Sequence, residues 1–192
     1  MLNTFKHKQN QIHYNHEQKS LLILSLFICF NLSGQSQNDT LSIFEKHNEV
    51  KVGIVKILAG PIFEGTYEYV KDRNIGYGAS FLVNFNPGND YFENISITPF
   101  FRMYFDRNEQ YDAKGFFVES FVSLYGGDDH EINSSTADSK YFETDLGFSV
   151  GQKWINSAGF VFEFRVGVGR NLLGNSPLDA ILKGDFCMGY RF

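Results

Sequence analysis

The stretch from Gly159 to Arg170 constrains this chain more than any other. Phe160, Phe162, Phe164, Val166 and Val168 share one parity; Val161, Glu163, Arg165, Gly167 and Gly169 share the other. Side chains of an extended strand alternate between faces, so this spacing describes a strand with one large apolar face and one charged or small face. The C-terminal segment repeats it. Leu182, Gly184, Phe186, Met188, Tyr190 and Phe192 alternate with Lys183, Asp185, Cys187, Gly189 and Arg191.

Six further segments carry the same period. Phe142 to Trp154 sets Leu146, Phe148 and Val150 against Asp145, Gly147, Ser149, Gly151 and Lys153. Gly115 to Tyr125 sets Phe116, Val118, Val122 and Leu124 against Glu119 and Ser123. Asn94 to Phe105 sets Ile95, Ile97, Phe101, Met103 and Phe105 against Ser96, Thr98 and Arg102. Ile75 to Phe85 sets Tyr77, Ala79, Phe81 and Val83 against Gly76, Gly78, Ser80 and Asn84. Phe63 to Val70 sets Tyr67 and Tyr69 against Glu68. Val50 to Ala59 is the least regular, because Lys51 and Lys56 fall on opposite faces. Turn-forming clusters separate the segments at 59–61, 71–74, 86–90, 108–109, 126–129, 156–157 and 175–177. The count is eight strands of roughly eight to thirteen residues, the length a tilted strand needs to cross a bilayer. The expected fold is all-β: an eight-stranded antiparallel up-and-down transmembrane barrel over residues 49–192. With both ends periplasmic, the loop 126–140 faces outward.

The start of the chain supports export. Residues 1–20 carry Lys6, Lys8 and Lys19, Leu21 to Phe30 is an apolar run, and Asn31 to Gln37 is small and polar. This order is that of a secretory signal, assigned to residues 1–36, with 37–48 as a periplasmic lead-in. The run is too short to span ~30 Å as a helix. A buried core helix or a membrane anchor is the competing reading. Phe27 and Ile28 stand before Cys29, where a lipid-attachment site requires small residues, so cleavage near Gly34 or Ser36 is preferred. Only Cys187 then remains, and no internal disulfide can form.

Composition adds the direction of the two faces. The 192 residues include 21 Phe, 10 Tyr and 18 Gly, which fits a β protein with one greasy and one wet face. A net charge of −5 argues against a nucleic-acid partner. Lipid tolerates no unpaired backbone polar groups, so a sheet crosses a membrane only when closed. Glu68, Arg102, Glu119, Asp145, Lys153, Glu163, Arg165, Lys183, Asp185 and Arg191 are expected on the inner face, in ion pairs that plug the lumen, with glycines making room for them. Trp154 is expected in an interfacial aromatic belt.

The chain resembles the small outer-membrane barrels of the OmpA and OmpX type. It is closer still to a single-barrel family of Gram-negative bacteria, an outer-membrane barrel domain of unknown function. The residues that carry the resemblance are Tyr67-Glu68, Pro99-Phe-Phe-Arg-Met-Tyr-Phe105 and Gly189-Tyr-Arg-Phe192, within residues 49–192. The terminal Phe192 strand resembles the signal read by the barrel-assembly machinery, which the resemblance implies as a partner along with outer-membrane lipid. It implies no active site, and because the sequence stops at the last strand no periplasmic peptidoglycan-binding domain is expected.

Chemistry beyond that is sparse. Asp128-Asp-His-Glu131 holds ligand-type residues, but clustered loop carboxylates are ordinarily solvated, and no metal residue is assigned. Barrel lipases and acyltransferases need a serine and a histidine near the membrane edge. Ser120 falls on the lipid face, no histidine lies on a strand, and His47 sits in the lead-in. Gly167-Val-Gly169 precedes no helix and is read as small lumen residues rather than a phosphate loop. No catalytic residue, no cofactor-binding residue and no cofactor is assigned. The expected role is structural or surface-interacting. A lipid-modifying enzyme and a soluble periplasmic ligand-binding barrel are the alternatives.

Overall fold

A computed structural model describes residues 46–86, 91–105, 113–129, 139–175 and 179–192. The strands are β1 (Asn48–Gly53), β2 (Ile62–Val70), β3 (Ile75–Asn84), β4 (Ile95–Phe105), β5 (Gly115–Asp129), β6 (Ser139–Ile155), β7 (Phe160–Asn171) and β8 (Ala180–Arg191). Each is antiparallel to its neighbour in sequence, and β1 pairs with β8 to close the barrel. The closing register sets Val50 opposite Tyr190 and Glu49 opposite Arg191. Closure gives every strand a neighbour on both sides over at least part of its length, which removes most of the free edge that is the main liability of an open sheet.

Local chemistry sets the turns at the end of the barrel where its own two termini, the start of β1 at Asn48 and the end of β8 at Arg191, lie. Asp72 Oδ1 accepts the N–H groups of Asn74 (2.9 Å) and Ile75 (3.0 Å), ending β2 and starting β3. Asn156 Oδ1 does the same for Ala158 (3.0 Å) and Phe160 (2.9 Å) between β6 and β7. Gly159 takes φ +93°, a left-handed conformation that suits glycine.

The face assignment follows the alternation. Phe164 is 51% exposed, whereas its neighbours Glu163 and Arg165 are 1% and 9% exposed. In β4 every second residue from Ser96 to Tyr104 is buried, and every second one from Ile95 to Phe105 is exposed. The inner face ends near the termini in a small apolar cluster of Val70, Tyr104, Ala113 and Phe117.

Three expectations need correction. The expected strand from Val50 to Ala59 ends at Gly53, and Ile54–Ala59 is a short helix, α1. Continued as a strand, this segment would have pointed Lys56 at the outer face; the helical turn brings it to Glu64 instead. Strand lengths also exceed the expected range at both ends: β1 has 6 residues, β5 has 15 and β6 has 17. The loop expected over 126–140 therefore begins later and ends earlier, because Gly126 pairs with Phe142 and Asp129 with Ser139. The proposed leader and most of the lead-in lie outside the described residues.

Candidate functional site

The inner face carries the chemistry, in two tiers. The proximal tier, nearer the termini, is a network of buried ions. Lys51 Nζ donates to Glu68 Oε2 and Glu163 Oε2, both at 2.6 Å. Arg102 donates through Nε to Glu119 (2.5 Å), and through Nη1 to Glu68 (2.8 Å) and Glu163 (2.7 Å). Lys153 Nζ donates to Glu49 (2.8 Å) and Glu68 (3.0 Å), and Arg191 Nε to Glu49 (2.8 Å). The tier balances four cations, Lys51, Arg102, Lys153 and Arg191, against four carboxylates, Glu49, Glu68, Glu119 and Glu163. Such balance is needed, since an uncompensated buried charge costs several kcal/mol.

Aromatic rings complete this tier. The Arg102 guanidinium lies 4.4 Å from the Phe100 ring centre and 4.5 Å from that of Phe117. These contacts favour a desolvated cation. The Tyr104 hydroxyl donates to Glu68 at 2.5 Å. The wall glycines accommodate these groups. A Cβ on Gly151 would lie 2.4 Å from the Phe117 ring, and one on Gly147 would lie 2.3 Å from the Phe121 ring. A Cβ on Gly76 would lie 2.3 Å from Glu68 Oε1. The glycines thus make room for phenylalanine rings as well as for the expected ions.

The distal tier, toward α1, mixes ions with hydroxyls. Arg165 and Lys56 both donate to Glu64. Lys183 Nζ donates to Ser123 Oγ (2.7 Å) and lies 2.8 Å from Glu93. Thr98 and Ser123 share a hydrogen bond of 2.9 Å, and Thr66 and Ser80 one of 2.8 Å. Glu143 closes the top, accepting the N–H groups of Leu173 (2.8 Å) and Asn175 (2.7 Å). Between the tiers lies a cavity of about 20 Å³, bounded by Glu119, Ser149, Thr98, Phe121, Arg165 and Lys183. That volume suits about one water molecule.

All ten inner-face ions expected from sequence face the lumen, and all but Lys183 are buried. Cys187 is also buried there. Gly167 faces in as expected, packed against Ser149. Ser120 stands on the outer face between Phe101 and Phe148. Trp154 is exposed near the end of β6. His47 Nδ1 lies 2.8 Å from the Val70 carbonyl oxygen, among Tyr69 and the β1–β2 pairing. His130 and Glu131 lie outside the described residues.

Sequence reasoning missed Glu49, Lys51 and Glu64, because the register of the first two strands was unread. Arg191 held a usable signal, since a buried arginine in the last strand needs an anion on the strand that closes against it. It also missed the inward rings of Phe100, Tyr104, Phe117, Phe121 and Tyr125. Hydroxyls meet carboxylates at Ser149–Glu119 (2.7 Å) and Ser96–Glu93 (2.8 Å), but Arg102 and Lys183 also engage those carboxylates. The arrangement binds strands together and presents no assembled nucleophile and base among the described residues. In comparisons with known proteins, the chain matches no family model, no curated protein and no solved structure.

Proposed function

We propose that this chain is an exported outer-membrane barrel of the OmpA and OmpX type, with a structural or surface-interaction role and a lumen plugged by ion pairs. The observation that carries this reading is the chemistry of the outer wall. Outward positions of the eight strands hold residues such as Tyr67, Phe81, Phe101, Val122, Phe148, Phe164 and Leu182. Among the described side chains, the charges at outward strand positions are Lys140 and Arg170, both at the distal ends of their strands. A soluble protein rarely exposes an apolar surface of this extent. The Phe160-to-Val168 band, at ~3.3 Å per residue and a tilt of ~40°, is about 20 Å tall, close to the ~25 Å of known outer-membrane barrels. Tyr67, Tyr69, Tyr77, Trp154 and Tyr190 lie toward the termini, where an interfacial girdle belongs.

A soluble ligand carrier would need the apolar face inside; here the inside holds the ions. The test is refolding of the chain with and without phosphatidylcholine vesicles. Insertion into vesicles, flotation with them and resistance to urea extraction are expected. Cooperative folding in plain buffer, without lipid or detergent, would overturn the reading.

A further inference from the structure

The barrel wall has a notch. On β2 the ladder with β1 uses Gly65 to Tyr69, and on β8 it uses Cys187 to Arg191. The β1-facing sides of Ile62–Glu64 and Ala180–Phe186 therefore have no strand between them. Helix α1 stands in this gap, and none of its residues is buried. Two polar tethers hold it: Lys56 Nζ to Glu64, and the Val55 N–H to Asp185 Oδ1 at 3.1 Å.

Glu64 and Asp185 stand on the two lips of the notch and are 4% and 3% exposed. Asp185 Oδ2 is buried without a hydrogen-bond partner. Both side chains converge on Gly53. A Cβ there would lie 2.1 Å from Asp185 Oδ2 and 3.5 Å from the Glu64 Cβ, so glycine leaves the space the carboxylate occupies. Lys56 also acts electrostatically on Asp185. The structure therefore has a carboxylate pair facing an ammonium on a four-carbon stem, carried by a lightly held helix.

We propose that Glu64 and Asp185 form a site for a primary alkylammonium group entering sideways through the β2–β8 notch, with Lys56 as its built-in occupant. If Lys56 withdraws, Glu64 keeps Arg165 while Asp185 keeps only the N–H groups of Val55 and Phe186, and an incoming ammonium supplies the cation the pair has lost. A carboxylate ligand would instead add to the excess negative charge. The alkyl tail lies along Val55, Ile57 and Leu58 of α1, which are exposed, as are Phe63 on β2 and Leu182 on β8. The proximal ion tier closes the floor, so the site opens toward the wall. Lateral entry rests on the membrane reading; the ammonium chemistry does not.

The experiment is calorimetric titration of the full chain with octylamine and with octanoate, in phosphatidylcholine vesicles. Lys56→Met and Lys56→Gln are each expected to bind octylammonium at least tenfold more tightly than the parent. Adding Asp185→Asn or Glu64→Gln to Lys56→Met should abolish the gain, and octanoate should show none. Equal affinities in the parent and both Lys56 variants, a gain that survives Asp185→Asn, or equal binding of octanoate would overturn the site. If neither Lys56 variant folds by near-ultraviolet circular dichroism, Lys56 is a structural strut and the proposal falls. A chain that folds only in buffer would sink the membrane reading and lateral entry, and the same titration there still reads the carboxylate pair.

Discussion

At the scale of single residues, adjacent positions face opposite sides of the barrel wall and should respond differently to charge. Phe164 is exposed on the outer wall midway along β7, next to Phe186 and Gln152 in register. Phe164→Arg is expected to destabilise the barrel by about 2–4 kcal/mol in urea titrations in vesicles, the cost of an arginine near the bilayer midplane. Glu163→Gln should cost less. Lys51 and Arg102 both keep Glu68, and Arg102 keeps Glu119, so neither cation is stranded. Arg102→Met is the severe lumen change, because Glu68, Glu119 and Glu163 lose a shared guanidinium; about 3–5 kcal/mol is expected. A nearly silent Arg102→Met beside a costly Glu163→Gln would show that the network is wrongly apportioned. The ions were legible in sequence because each falls on the parity opposite an apolar face, as Arg102 does between Phe101 and Met103. The inward rings were not. Where Phe100 and Phe101, or Phe116 and Phe117, stand side by side, both faces are apolar and alternation gives no direction. The glycines opposite hold that information, but only once the register brings Gly151 beside Phe117.

At the scale of elements, the six strands from β3 to β8 were readable because each has one consistently apolar face bounded by turn residues. The β1 segment was not, since Lys51 and Lys56 cannot share a face in a continuous strand. That conflict was the sequence trace of α1, and it hid the Glu64 and Asp185 lips of the notch. Pro99 marks another element-scale feature. It has no N–H to give to β5, and the β4–β5 ladder skips from Ile97 to Phe100, while Ala79 still pairs with it on β3. Close strand approach sets the most sensitive wall glycine. A Cβ on Gly78 would lie 2.0 Å from the Tyr67 carbonyl oxygen and 2.9 Å from the Glu68 Cα, both backbone atoms. Backbone cannot swing aside as a side chain can, so Gly78→Ala should cost about 1–3 kcal/mol by overpacking. Gly184→Ala is its control, since the nearest atom there is 3.4 Å away. Equal unfolding midpoints for the two variants would contradict the β2–β3 register.

At the scale of the whole molecule, export and conduction are the two tests. Small residues cluster after the apolar run, so mass spectrometry of the protein isolated from membranes should find a first residue between Gln35 and Gln37 and no peptide from residues 1–30. Conduction depends on how the ion pairs cross the barrel. Arg102 on β4 reaches Glu68 on β2, Glu119 on β5 and Glu163 on β7. Lys153 on β6 reaches Glu49 on β1 and Glu68 on β2. Strands so far apart around the ring can share one carboxylate only if side chains fill the space between them. An ion passing through would have to break several of these contacts at once, in a setting where each uncompensated charge is costly. Planar-bilayer recordings of the parent protein are therefore expected to show no large, steady conductance. Serine at both Arg102 and Glu68 shortens two of the spanning side chains and leaves Lys51, Lys153 and Arg191 facing Glu49, Glu119 and Glu163, three charges of each sign. That double variant should admit brief, small currents if it still inserts into vesicles. Steady porin-sized channels from the parent would mean that the proximal tier does not close the barrel.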